Sequence, residues 1–251
     1  MIEIHPIKYD GLIQPIGLEK LAGELRNLFP LQPGDILVVT HKAIARAEGR
    51  VVDLSTVVPS TRAQVLAETI HDDPRVVELI LRESTVMRVG SITLLTRMPN
   101  GMVCNSAGID TFSVGSEQIC LLPLDADNSA RILHQHLSVP IIISDTQSRF
   151  YRHGAVNIAI GSWGLKPTRS YIGQADAFGK VFMRATIAVI DELAAAVELV
   201  MGKLDGVPAA VVRGYHYEPA NEGAQIVYDS KRYSRLELNY AIDNKPPLSS
   251  D

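Results

Sequence analysis

The stretch IIISDTQSRFYRHGAVNIAIG, residues 141–161, contains two apolar runs joined by a short basic segment. Ile, Val and Ala dominate both runs, and short runs of this kind bounded by polar residues favour β-strands. The first run predicts a strand that ends at Ser144, and the second run ends at Gly161. A carboxylate and a hydroxyl directly after a strand raise the question of what they bind. The polar residues after the first run are Asp145, Thr146, Gln147, Arg149, Arg152 and His153.

The composition is that of a globular protein that buries one large core or two modest ones. Hydrophobic residues make up 46% of the 251 residues and charged residues 21%. The formal net charge is -4 and the isoelectric point is about 6.0, so no overall positive field attracts nucleic acid or an anionic membrane. The sequence therefore predicts neither a nucleic-acid partner nor a membrane partner, and any bound polyanion must be held locally.

The two cysteines and the N-terminal segment predict a cytoplasmic protein. Cys104 and Cys120 lack the spacing of a metal or redox motif, and the start MIEIHPIKYD has no signal-peptide pattern. We expect small core thiols in a reducing compartment. The longest apolar helical segment, IAVIDELAAAVELVMG, contains three acidic residues, which excludes a membrane span and predicts a core helix.

Outward from residues 141–161, the chain mixes strand signals with helical periodicity. Strands are predicted within residues 2–7, 33–40, 139–144 and 207–212, and helices at residues 18–29, 61–83 with a break at DDP, 127–137 capped by Asp127 or Asn128, and 184–201. This mixture predicts an α+β fold with a mixed or antiparallel sheet and packed helices. No linker divides the chain, so we expect one domain over residues 1–243 and a frayed tail at residues 244–251.

Familiar nucleotide and metal motifs are absent from the sequence. The segment GQADAFGK has one residue too many between its glycines and Val181 where a Walker loop needs Ser or Thr. No GxGxxG follows a predicted strand, which removes support for a Rossmann site. His134 and His136 are two residues apart on a predicted helix and point to different sides, so surface positions are favoured over a shared metal.

Asp110 in NSAGID and Asp145 in ISDT each end an apolar run at a turn. Carboxylates at strand ends suit Mg²⁺ or Mn²⁺, which hold phosphates through shared oxygens. Asp is also a standard turn and cap residue, and residue chemistry alone leaves both interpretations open. Two interpretations also stay open for VMGKLDGVPAAVVRG, residues 200–214. The Gly-Lys pair at the C-terminal end of the predicted helix can bind an anion, or it can simply end the helix.

Five segments, in this order, resemble the coenzyme F(420)-0:γ-glutamyl ligase family. They are GDILVVTHKAIARAEGRVVDL, VCNSAGID, LLPLDADNSARIL, IIISDTQSRFYRHGAVNIAIGSWGL and DELAAAVELVMGKLDGVPAAVVRG, and together they extend over residues 34–214. The resemblance implies the amide ligation of L-glutamate to coenzyme F(420)-0, a phospholactyl deazaflavin, with GTP and with Mn²⁺ or Mg²⁺. It also implies an intertwined homodimer and an acyl phosphate formed by transfer of the γ-phosphoryl group.

The resemblance also implies site residues. Metal-binding positions are Asp110, Asp145, Thr146 and Lys203, the last through its backbone carbonyl oxygen unless the ammonium holds phosphate instead. Catalytic positions are Asp110, Asp145 and Arg149, and Arg152 and His153 would also face phosphate or carboxylate groups. The nucleotide-binding positions are Leu12, Ile13, Gln14, Pro15, His41, Lys42, Arg46, Ser113, Met201, Gly202, Lys203, Leu204, Asp205, Gly206, Val207 and Pro208.

The chain departs from the family pattern after both acidic motifs. Thr111, Phe112 and Ser113 stand where a Ser-Asn pair is common, and Gln147-Ser148-Arg149 replaces Phe-Gly-Arg. Ligation to coenzyme F(420)-0 is the leading prediction, and these departures leave two alternatives open. One is a γ-glutamyl ligase acting on a folate-type pterin, and the other is a non-catalytic relative that binds nucleotide and metal.

Overall fold

The computed structural model describes residues 1–9, 15–112, 114–148 and 152–228, which form two compact units. The first unit comprises Met1–Val58 and Gly108–Val227, and the second contains Pro59–Ala107. The predicted frayed tail, residues 244–251, lies outside the described residues. The single domain over residues 1–243 stays a prediction, since much of its last part is also outside them.

The first unit contains nine strands and four α-helices among its described residues. Its elements are β1 (Glu3–Ile7), α1 (Leu18–Leu28), β2 (Ile36–Thr40), α2 (His41–Ala47), β3 (Val51–Asp53), β7 (Gln118–Cys120), α5 (Ala126–Leu137), β8 (Ile141–Ser148), β9 (Ala155–Trp163), β10 (Thr168–Ser170), β11 (Thr186–Ala188), α6 (Val189–Met201) and β12 (Ala209–Arg213). Short 3-10 turns cover Leu54–Thr56, Ser106–Gly108 and Ala224–Val227.

Five strands of the first unit form the central sheet in the order β1-β12-β2-β8-β9. Only β2 and β8 run parallel, whereas the other neighbours are antiparallel. Ile, Leu, Val and Ala fill β2, the start of β8 and β12, and their side chains are buried, because helices cover this part of the sheet. The prediction of an α+β fold with a mixed sheet is therefore confirmed.

Strand β8 is longer than the sequence predicted. It continues past Ser144 to Ser148, because Asp145, Thr146, Gln147 and Ser148 pair with the start of β9 after β2 has ended. Asp145 and Thr146 thus lie within a two-stranded ribbon rather than after a strand end. The polar side chains of the ribbon hid its strand character from an apolar-run criterion.

The helices that flank β9 also differ from the prediction. Helix α6 begins at Val189, and the preceding residues Thr186–Ala188 form β11 instead of the predicted helix start at residue 184. The N-cap of α5 is Asp125, whose carboxylate accepts from Asn128 N, and not Asp127 or Asn128. Asp127 instead accepts a 2.8 Å hydrogen bond from Ser162 N in β9.

A shift in register marks the close contact between β9 and the helices. The pairing moves by one residue between Ile143 and Ser144 of β8, which is the signature of a β-bulge in β9. Asp191 in the first turn of α6 accepts a 2.9 Å hydrogen bond from Ala159 N. A Cβ on Gly161 would lie 2.5 Å from the backbone of Ala126, so α5 approaches the strand at a distance that only glycine allows.

The second unit packs two helices and a three-stranded antiparallel sheet. Its elements are α3 (Thr61–Ile70), α4 (Pro74–Glu83), β4 (Thr85–Val89), β5 (Leu94–Arg97) and β6 (Val103–Asn105). The predicted break at DDP is confirmed: His71 ends α3 in the left-handed region, Asp73 caps α4, and Pro74 is its first residue.

The sequence predictions for the cysteines and the long helix are confirmed. Cys104 and Cys120 are buried thiols. Within the part of the chain that the structure describes, none of the helices has the length and apolarity needed to cross a bilayer. His134 is partly buried with its ring near the Val139 carbonyl, and His136 is exposed, as expected for residues on different sides of α5.

Candidate active site

Four separate segments meet at one edge of the central sheet. The parallel strands β2 and β8 end their pairing there at Thr40 and Ser144. Strand β12 begins at this edge because it is antiparallel to β2, and Thr40 N donates to Pro208 O. Strand β1 ends there too, since Tyr9 N donates to Gly206 O. The sheet order therefore brings residues 41–46, 145–146 and 201–208 together from distant parts of the sequence.

The first turn of α2 holds Asp145. Helix α2 follows β2 without a loop and is capped by the Thr40 hydroxyl, which accepts from Ala43 N. His41 Nδ1 lies 3.1 Å from Asp145 Oδ1, and both side chains are at most 9% exposed. The same oxygen accepts from Thr146 N at 2.7 Å. Asp145 Oδ1 is thereby fixed by two groups, which orients the second oxygen of the carboxylate.

The next residue of α2 contacts the other predicted metal carboxylate. Lys42 Nζ lies 2.6 Å from Asp110 Oδ2, and Asp110 Oδ1 accepts from Phe112 N at 2.7 Å. Backbone hydrogen bonds with Cys120 fix the position of Asp110 beside β7. Consecutive residues of one helical turn therefore hold Asp110 and Asp145, which lie 35 positions apart in the sequence.

Four polar side chains form a closed hydrogen-bonded ring next to Asp145. The Thr146 hydroxyl donates to Asn157 Oδ1 at 2.7 Å, and Asn157 Nδ2 donates to Glu198 Oε2 at 2.7 Å. Glu198 Oε1 lies 3.2 Å from Lys203 Nζ, and Lys203 in turn donates to the Thr146 hydroxyl. This ring, defined by Thr146, Asn157, Glu198 and Lys203, links β8, β9 and the end of α6.

Sequence reasoning missed two members of the ring, Asn157 and Glu198. Glu198 lies in the last turn of α6, where a carboxylate is unfavourable beside the negative end of the helix dipole. That position was a signal that the side chain has a specific partner. Asn157 is an amide at a buried position of an otherwise apolar strand, and a buried amide requires hydrogen-bond partners.

Unsatisfied buried atoms also lie at this edge. His41 Nε2 and the Ser144 hydroxyl oxygen are buried and have no hydrogen-bond partner within the described residues. A buried polar atom without a partner costs about 1 to 3 kcal/mol, so such atoms usually serve a ligand or ordered water. By contrast, burial raises the pKa of the Cys120 thiol to about 11, which excludes this neighbour of Asp110 as a nucleophile near neutral pH.

The side chains of three predicted metal positions have the donor chemistry that a hard divalent cation needs. Asp110, Asp145 and Thr146 offer only oxygens, which Mg²⁺ and Mn²⁺ prefer. No cluster of three or more His, Cys, Asp or Glu side chains occurs among the described residues. The Lys203 ammonium has no lone pair, so only the backbone of this residue can be a ligand.

Most of the remaining predicted nucleotide residues are distributed around the same edge. Met201 ends α6 and is buried, Gly202 follows with a positive φ of 57°, and the residues up to Gly206 are exposed. Val207 is buried before β12. Arg46 lies in the last turn of α2. Pro15 lies beside Gly49, just beyond the C-terminal end of α2, where a Cβ on Gly49 would be 3.5 Å from Pro15 Cβ.

Several predicted site residues lie outside the described residues. They are Leu12, Ile13, Gln14, Ser113 and Arg149. Arg152 and His153 are described and are exposed in the turn between β8 and β9. The roles of all the site residues in metal, nucleotide and catalysis stay predictions.

Comparison with known proteins gives a consistent result. A family model described as F420-0:Gamma-glutamyl ligase matches residues 5–214. Three relatives are each named Coenzyme F420:L-glutamate ligase. That of Methanopyrus kandleri is 39% identical over 221 residues, 85% of this chain and 87% of the relative. The relative from Methanothermobacter thermautotrophicus is 41% identical over 193 residues, which are 74% of this chain and 77% of the relative. The relative from Methanocaldococcus jannaschii is 35% identical over 225 residues, which are 83% of this chain and 90% of the relative.

Proposed function

The chain belongs to the F420-0:gamma-glutamyl ligase family, and from this premise we propose that it joins L-glutamate by an amide bond to coenzyme F420-0. The observation that carries the proposal is that His41 and Lys42, consecutive residues of α2, contact Asp145 and Asp110, while Lys203 contacts Thr146 beside Asp145. Acidic oxygens beside two lysines form a site for a polyphosphate and its counter-ion.

The proposed chemistry uses GTP to activate a carboxylate. The acceptor carboxylate oxygen attacks the γ-phosphorus of GTP, giving an acyl phosphate and GDP. The amine of glutamate then attacks the acyl carbon, the C–O bond breaks, and phosphate leaves while the amine loses a proton. Such a reaction requires alignment and charge compensation rather than a covalent enzyme nucleophile.

The side chains at the edge have distinct proposed tasks. Lys42 and Lys203 exchange their present carboxylate and hydroxyl partners for phosphate oxygens, since an ammonium is a mobile point charge on a flexible stem. Asp110, Asp145 and Thr146 would hold Mn²⁺ or Mg²⁺, which would supply further neutralisation of the transferring phosphoryl group. His41 keeps Asp145 oriented through Oδ1, and Asn157 keeps the Thr146 hydroxyl oriented.

We also propose a homodimer, which the exposed apolar surface of one hairpin supports. Strands β10 and β11 and the residues between them, 168–188, form a hairpin arm with cross-strand bonds such as Tyr171 N to Ala185 O. Its exposed apolar side chains include Phe178 at 96% and Met183 at 78%. Several exposed apolar side chains on one short arm favour an interaction site, and a second copy of the chain is the commonest partner.

The function is tested by mass spectrometry of reaction products. The protein is incubated with GTP, Mn²⁺, L-glutamate and either coenzyme F420-0 or a folate-type pterin. We expect the mass of the deazaflavin acceptor to increase by that of one glutamyl residue. The amount of GDP released should equal the amount of this product. Adducts on the pterin alone would move the proposal to the folate-type acceptor. GTP binding without glutamate-dependent GDP release on either acceptor would contradict ligase activity and indicate a non-catalytic relative.

A further inference from the structure

A second concave site lies at the other end of the first unit's central sheet. A cavity of about 450 Å³ is bounded by the residues that follow β9, the start of α6, and the segment after β12. Strand β9 begins beside the ring and ends at this cavity, and α6 runs back from the cavity to the ring. The side chains that give the cavity its chemistry are Lys166, Arg169, Tyr171, Tyr215, Tyr217 and Glu218.

The segment after β12 is fixed against the residues that follow β9. Lys166 N donates to Glu218 O at 2.8 Å, and Lys166 Nζ donates to Glu218 Oε1 at 2.9 Å. Tyr215 and Tyr217 both line the cavity and are partly buried, whereas His216 between them is exposed. This alternation is that of an extended segment with one side turned to the cavity.

Aromatic rings and positive charge combine in this cavity. Tyr171, Tyr215 and Tyr217 contribute three ring surfaces, and burial raises the pKa of Tyr217, so this phenol stays neutral. Among the lining residues, Glu218 is paired with Lys166, and Arg169 is the second cation, which also interacts with Glu192 in the first turn of α6. The Tyr171 side chain and, more weakly, Glu192 raise the pKa of the Arg169 guanidinium. A planar aromatic group that carries a negative substituent matches this lining.

We propose that this cavity binds the planar heterocycle of the acceptor, with Arg169 facing the acceptor's phosphate. The proposal rests on the proposed function and adds to it the location of the acceptor's heterocycle. Val189 lines the cavity, and Glu198 of the ring of polar residues follows nine residues later on α6. Nine residues of helix span about 13 Å. The acceptor would therefore extend along α6, with its heterocycle in the cavity and its reacting carboxylate near Glu198.

Two of the aromatic walls of the cavity follow the region that the family model matches. The family match ends at residue 214, directly before Tyr215 and Tyr217. Two of the three aromatic walls therefore come from a segment that the family description does not cover. A difference at these positions would change which heterocycle fits while the phosphate-binding edge stays the same.

The experiment measures binding of the heterocycle to the cavity in the absence of catalysis. Riboflavin and FMN, which differ by one phosphate, and the deazaflavin acceptor are titrated by fluorescence in the absence of GTP, metal and glutamate. We expect Tyr217→Leu to weaken all three by roughly fivefold, the loss of one aromatic stack, and Tyr217→Phe to retain binding. Arg169→Gln should weaken FMN and the acceptor but leave riboflavin unchanged. His216→Leu, in the same segment but exposed, is the matched control.

The outcomes separate this proposal from the proposed function. Unchanged affinity of all three ligands in both Tyr217→Leu and Tyr215→Leu, or no binding of any of them to the wild-type chain, would overturn the cavity assignment. In turnover assays, Tyr217→Leu should raise the KM for the acceptor and leave the KM for GTP unchanged. Failure of the wild-type chain to form a glutamate adduct would refute the ligase function, while riboflavin and FMN would still report on the cavity. Light scattering of each variant detects any loss of assembly.

Discussion

Asn157→Leu is expected to destabilise the first unit by about 2 to 3 kcal/mol and to weaken nucleotide binding. Asn157 is 3% exposed and makes two hydrogen bonds of 2.7 Å, one from the Thr146 hydroxyl and one to the Glu198 carboxylate. A neutral hydrogen bond contributes roughly 1 kcal/mol, and one to a charged group roughly 1.5 to 3 kcal/mol. Leucine is similar in size, so better burial of an apolar side chain offsets part of the loss.

The ion pair between Lys203 and Glu198 should not compensate for this change. Lys203 is 57% exposed, and a pair at the surface contributes at most about 1 kcal/mol. The Thr146 hydroxyl would lose its acceptor and with it a fixed orientation beside Asp145. The variant should therefore bind GTP with Mn²⁺ more weakly even under conditions where it is folded.

Urea unfolding followed by fluorescence and circular dichroism measures the first effect, and calorimetry with GTP and Mn²⁺ measures the second. Asn27→Leu is the control, because Asn27 is exposed on α1 and the same chemical change there should cost less than about 0.5 kcal/mol. A loss below about 1 kcal/mol for Asn157→Leu, or a loss equal to the control, would refute the view that the ring is a connected network. Unchanged nucleotide affinity would refute the orienting role of Asn157.

Three further predictions concern the metal, the assembly and the buried acids. Asp110→Asn and Asp145→Asn should each weaken Mn²⁺ binding in the presence of GTP. Asp176→Asn, in an exposed turn of the hairpin arm, is the control and should not change this binding. Equal calorimetric affinity for Mn²⁺ in all three variants would contradict the metal assignment. Light scattering should give a dimer mass for the wild-type chain and a smaller mass for Phe178→Ser with Met183→Ser, and an unchanged mass would remove the hairpin arm from the interface. Burial raises the pKa of the Asp191 carboxyl above its unfolded value, so its stabilising contribution is complete below about pH 4 and declines as pH rises through the folded pKa. The stability of the wild-type chain relative to Asp191→Asn should therefore fall between pH 4 and 7 in urea titrations, and a constant difference would be inconsistent with a raised pKa.

Local sequence determined the elements whose signals are contained within a few residues. The apolar runs of β2, β8 and β12 predicted buried strands, and DDP predicted the break between α3 and α4, because proline and a capping aspartate act on their own neighbours. The order of five family-like segments was also a property of the chain alone, and it identified the family before any geometry was known. The start of α6 was misjudged, because β11 directly precedes it and contains no helix-breaking residue.

Only the tertiary structure decided which polar residues act together. Asn157 and Glu198 belong to different elements, and their partners are fixed by the packing of α6 on β9, which no local pattern encodes. The parallel pairing of β2 with β8 similarly sets His41 against Asp145 across 104 positions of sequence. Local propensity is a short-range property of the backbone, whereas a site is assembled by strand order and by long-range packing. The family resemblance could therefore propose Asp110, Asp145, Thr146 and Lys203 as site residues, but the ring that orients Thr146 depends on the folded sheet.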